Sequence, residues 1–140
     1  MSDTIVDVNH SKASSSTGDI AVRIILVALA FTAVQLPLFE VMNSGKSVSY
    51  NAVFPMLLGG FGYAVPALIA VVSGLGFLSR AGAVRKISDA LALAISVVAG
   101  GYLAFGASSS SATMSLDLGA YTFFALILLA AWNFISTLRR

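Results

Sequence analysis

A chain of 140 residues with 58% hydrophobic side chains, 10% charged side chains and a mean hydropathy of +0.93 has too few polar groups to cover a water-soluble globule of its size. The absence of cysteine excludes disulfides and thiolate metal sites. The net charge of +2 comes without the interleaved basic and aromatic residues of a nucleic-acid surface, so no nucleic acid is expected as a partner.

Lipid is therefore the expected medium, and in lipid every backbone N–H and C=O must be paired within the protein, which leaves helices or a closed barrel. Barrel strands alternate apolar and polar residues, whereas Ala67–Val72 and Ala125–Ala131 are apolar at every position. The predicted fold class is all-α: an integral membrane protein, a four-transmembrane-helix bundle with short loops.

Residues 1–18 mix Ser, Asp, Asn and Lys without a usable period and read as a mobile cytoplasmic tail, with residues 19–140 forming the four-helix transmembrane domain. Asp19 is placed to cap the first helix, predicted over about 20–42, with Arg23 and Glu40 reaching toward the headgroups from its two ends. Ala28-Leu29-Ala30 resembles a signal-peptidase site, but Arg23 leaves too short an apolar core before it and the preceding tail carries Asp3, Asp7 and Asp19. Pro37 is read as a kink inside this helix, freeing the carbonyl of Ala33.

A short external loop, 43–51, leads to a second helix at about 52–78. Its Gly59-Gly60-Phe61-Gly62-Tyr63 cluster and Pro66 predict a bend or a place of close helix approach. A basic internal turn from Ser79 to Lys86 precedes a third helix at about 87–105. A Ser-rich external loop spans 106–115, and a fourth helix covers about 116–138. The charge-free windows Ser47–Ser79, Ala90–Leu116 and Leu118–Leu138 each reach or exceed the roughly 20 residues that cross a hydrocarbon core.

Charge sets the expected orientation. Lys12, Arg23, Arg80, Arg85, Lys86, Arg139 and Arg140 fall at one end of these spans and only Lys46 at the other, so both termini are expected inside. Tyr50, Tyr102 and Tyr121 near the outer ends and Trp132 near the inner end fit interfacial belts; Tyr63 does not. The localisation that follows is a multi-pass protein of a bacterial cytoplasmic (inner) membrane.

Two runs of small residues stand out. Ser88, Ala92, Ser96, Gly100 and Ala104 place a small side chain at every fourth position of the third helix, and Gly60, Ala64, Ala67 and Gly74 form a comparable seam on the second. Helices in lipid associate by close backbone approach, so both seams are expected to serve helix packing, either of the second helix on the third or of one chain on another.

Chemistry is sparse. His10 lies in the tail, and no second His, no Cys and no carboxylate cluster completes a dyad, a triad or a metal site, so catalysis and cofactors are not expected. Glu40 is read as the only acidic residue within a predicted span, near its outer end. Gln35 lies deeper, but about 140° around a helix from Glu40. Gln35, Glu40 and Asn133 are the candidates for a pore or transport path. The function expected is a small non-enzymatic inner-membrane protein, an accessory or self-assembling component of a membrane complex, with the bilayer and a homo-oligomer or larger complex as partners. The alternative is a small channel, holin-like pore or transporter.

Overall fold

The computed structural model describes residues 17–52, 59–79, 82–108 and 114–139. Four helices dominate it: α1 (Thr17–Gln35), α2 (Ala64–Leu78), α3 (Gly82–Ser108) and α4 (Leu118–Leu138). Between them lie β1 (Pro37–Asn43), β2 (Lys46–Asn51) and β3 (Met114–Leu116), with a 3-10 turn, Gly59–Tyr63, leading into α2. The helices, with α2 extended back to Gly60 through that turn, are each long and apolar enough to span a membrane. Most of the predicted tail with His10, the first part of the predicted second helix (53–58), Arg80 and the centre of the Ser-rich loop lie outside the described residues.

Extensive contacts join α1 to α2, α2 to α3, α3 to α4 and α4 back to α1, so α1 and α3 face each other across the diagonal of an antiparallel bundle. The packed interior runs from Leu26, Ala30 and Val34 of α1 through Ile69 of α2 and Ala99 and Leu103 of α3 to Phe123, Leu126 and Ala130 of α4. Ile24, Leu68, Val71, Val98, Phe124, Leu128 and Trp132 point outward and are exposed.

The sheet is the main departure from the all-helical expectation. Its order is β2-β1-β3, antiparallel throughout, and it caps one end of the bundle. The first helix stops at Gln35 rather than continuing to 42. The residue before a proline is pushed out of the α region, and the last helical bond runs from the Leu36 N–H to the Thr32 carbonyl at 3.0 Å. Pro37 is thus the first residue of a strand, not a kink within a helix. Pro66 likewise stands in the first turn of α2, where the missing N–H costs little.

Asn43-Ser44-Gly45-Lys46 closes the β1–β2 hairpin with two central residues at positive φ, 52° for Ser44 and 79° for Gly45, as a primed two-residue turn requires. Asn tolerates that conformation better than Ser. Ser44→Asn is therefore expected to stabilise the hairpin by a few tenths of a kcal/mol, read as slower amide exchange across Phe39 to Tyr50.

β1 sits at the centre of the sheet. Phe39 is opposite Tyr50 on one side, with ring centroids 5.6 Å apart, and opposite Leu116 on the other. The Asp117 N–H donates to the Leu38 carbonyl at 2.9 Å, while the Asp117 carboxylate accepts from the Leu118 N–H at 2.7 Å, so one residue ties β1 to the start of α4. At its other end the predicted basic turn is shorter than expected, because α3 begins at Gly82 and takes Arg85 and Lys86 into its first turns.

Candidate functional site

The strongest concentration of polar chemistry among the described residues lies at the bundle end opposite the sheet, where all four helices contribute. Arg23 of α1 is buried and its Nη2 stands 2.9 Å from Oδ1 and 3.1 Å from Oδ2 of Asp89 on α3. The Thr137 hydroxyl of α4 lies 2.7 Å from the same Asp89 Oδ2, and Arg23 Nη1 reaches the Ser73 carbonyl of α2 at 3.4 Å. Ser88, beside Asp89, donates to the Val72 carbonyl, and Asn133 is buried one turn from Thr137, whose hydroxyl also lies 3.0 Å from its carbonyl.

Burial makes this pair consequential. The two side chains retain 6% and 1% of their exposure, so each depends on the other rather than on water for solvation. Arg23 is six residues into α1, about 9 Å along its axis, which sets the pair just below one end of the bundle. A second contact lies nearby: Arg85 Nη1 is 3.8 Å from Asp19 Oδ2. Asp19 is inside the first turn of α1, not ahead of it as a cap.

Local sequence at this site has a clear logic. A Cβ on Gly76 would stand 2.6 Å from Arg23 Nη1 and 2.9 Å from Ser88 Cβ, so the guanidinium occupies room that only a glycine on α2 leaves. Ser88 and Asp89 fall on the inward face of α3 because they continue the buried series Ala92, Ser96 and Ala99 at helical spacing. Ser96 bonds back to the Ala92 carbonyl at 2.8 Å, which satisfies its hydroxyl without a neighbour's help.

Two readings made from sequence are corrected here. Arg23 does not reach outward to headgroups; it turns inward. Glu40 lies in no span, whereas Asp19 lies within α1 and Asp89 within α3, and Asp89 is the most deeply buried carboxylate among the described residues. The missed signal was an acidic residue one turn past Arg85 and Lys86, at the start of an otherwise apolar run.

The residues proposed for a path are not brought together. Gln35 is exposed at the sheet end, where its Nε2 donates to the Tyr63 hydroxyl at 3.5 Å. Glu40 stands on β1, opposite Ser49 and Ser115, and so is not on a helix at all. Asn133 is at the far end of the bundle, and between the two ends Leu26, Ala30, Ile69, Leu126 and Ala130 are almost wholly buried.

Of the small-residue seams, Ser88, Ala92 and Ser96 are buried in the bundle, Gly100 is half-buried against Ile127 Cδ1, and Ala104 is exposed. The α2 seam is turned differently. Gly60 and Ala67 are exposed and Ala64 and Gly74 half-buried, while the face that α2 buries carries Val65, Pro66, Ile69, Ser73 and Gly76.

The arrangement is a polar network centred on the Arg23–Asp89 pair, with Arg85 Nε buried beside it without a hydrogen-bond partner among the described residues and apolar packing above. The hydroxyls of Thr32, Ser96 and Thr122 donate to backbone carbonyls, and among the described residues no group of three or more His, Cys, Asp or Glu could hold a metal ion. Comparison with protein-family models, with curated proteins and with solved structures gives no match to this chain.

Proposed function

We propose that this chain is a small non-enzymatic membrane protein of a bacterial-type inner membrane that acts as an accessory or self-assembling component of a membrane complex. The observation that carries the reading is its reversed polarity. Arg23, Asp89, Ser73, Ser88 and Asn133 are inside, while Ile24, Val98, Phe124, Leu128 and Trp132 are outside, the arrangement that hydrocarbon rather than water stabilises. The basic residues Arg85, Lys86 and Arg139 belong to the end that carries the Arg23–Asp89 pair, which supports an orientation with that end and both termini inside. Reporter fusions at the two termini test it: an extracytoplasmic signal from either end rejects the orientation.

Assembly is favoured over transport because the polar candidates lie at opposite ends of a bundle whose middle is apolar. The exposed Ala67 of α2 and Gly60 of the turn leading into it supply a face for close helix approach, and among the described residues nothing lies within 4 Å of a Cβ built on Gly60. Crosslinking in native membranes is expected to trap a homo-oligomer or a reproducible larger partner, and Ala67→Leu is expected to reduce that product severalfold. A strictly monomeric result rejects the reading. Vesicles carrying the chain are expected to leak ions no faster than empty vesicles, and a leak abolished by Glu40→Gln would replace assembly with a pore.

A further inference from the structure

A cavity of about 440 Å³ lies between α3 and α4, roofed by Leu38 and Phe39 of β1. Among the described residues, every one that lines it is glycine or carries an apolar side chain; Phe123 stands at its back, and Gly101 and Ala104, both exposed, stand at its mouth. It therefore opens through the side of the bundle.

Its contents follow from its walls. A buried water needs two to four polar partners, which the described side chains around this cavity do not supply. An unfilled space forfeits the dispersion contacts of the atoms around it, and an engineered apolar cavity of only about 150 Å³ in another protein takes up benzene or xenon. Gly101 points the same way. It weakens the helix that carries it, yet a Cβ built there meets nothing within 4 Å among the described residues, so none of them accounts for the missing side chain.

We propose that this cavity holds one acyl chain of a bilayer phospholipid, taken from the leaflet on the sheet side. The inference rests on the membrane residence proposed above, because the mouth then opens onto hydrocarbon, where acyl chains are the abundant slender apolar groups. Such a chain enters lengthwise beneath the roof of Leu38 and Phe39 and leaves its headgroup at the level of the sheet.

The test reconstitutes the full chain in phosphatidylcholine vesicles containing a phosphatidylcholine with a photoreactive diazirine on one acyl chain, and maps the label by mass spectrometry. Label is expected to concentrate on the α3 segment from Val97 to Ala104 and to fall about tenfold in Gly101→Leu, whose side chain fills the space. Label around Ile24 and Ile25, on the outer face of α1, is expected to stay unchanged. Ala104→Leu fills the same mouth and guards against a folding defect in the first variant. Label spread evenly over all helices, or label indifferent to both substitutions, would overturn the proposal. Absence of label on every helix would overturn the membrane residence itself.

Discussion

Asp89→Ala is expected to be among the most damaging single substitutions in this chain, costing about 3–5 kcal/mol, because it leaves the Arg23 guanidinium buried without its counter-charge. Arg23→Ala should cost a similar amount for the mirror reason. Removing both charges together is a different matter. Taking two ions out of water is costly, and a buried pair replaced by apolar groups of similar volume is commonly neutral or stabilising. Arg23→Met with Asp89→Leu is therefore expected to recover most of the loss, with the remainder set by the Thr137 hydroxyl, which keeps its 3.0 Å contact to the Asn133 carbonyl once the carboxylate is gone. Unfolding of the reconstituted chain in mixed detergent, with Arg23→Met and Asp89→Leu also made singly, measures all four members of the cycle. Equal damage from the single and double substitutions would show that the pair contributes net stability and does more than balance itself.

Gly119→Ala is expected to cost about 1–3 kcal/mol through overpacking, although it adds a single methyl group. A Cβ at this position would stand 2.6 Å from the Pro37 carbonyl oxygen and 2.7 Å from that of Leu36, and both are backbone atoms that no rotamer change can move. Relief requires α4 to shift away from the turn between α1 and β1, which lengthens the 2.9 Å bond from the Asp117 N–H to the Leu38 carbonyl. The informative comparison is Gly74→Ala on α2, where a Cβ meets nothing within 4 Å. There the helix gains by up to about 1 kcal/mol from losing a glycine. The same exchange in two helices should thus change sign, and the same unfolding measurement reads both. A destabilised Gly74→Ala would mean that its face is occupied by a partner helix.

Much of the helical framework was legible in the residues because hydropathy is a local sum: a run such as Ala125–Ala131 declares itself without knowledge of its neighbours. The helix ends were less legible. Leu36-Pro37 carries a stop signal and Ser44-Gly45 between Val41 and Val48 a hairpin signal, but the run 37–42, apolar apart from Glu40, extends a span as readily as it forms a strand. The small residues of α2 and α3 were equally visible, but a periodic seam states only that one face is smooth. Which neighbour it meets, if any, depends on the rotation of the helix in the bundle, and the two seams turned out to face different ways.

The polar cluster illustrates the sharper limit. Arg85 and Asp89 sit four residues apart, a spacing that in an isolated helix would pair them locally. The fold instead pairs Asp89 with Arg23, 66 residues away, and brings Arg85 to Asp19. What the amino-acid order determined by itself was the number of apolar helices, the clustering of basic charge at one end and the poverty of catalytic groups, all properties of single segments. What only the tertiary structure decided was which buried charge meets which, where the sheet closes the bundle and where space is left between helices. Those outcomes depend on distances between segments remote in sequence, and no local pattern records them.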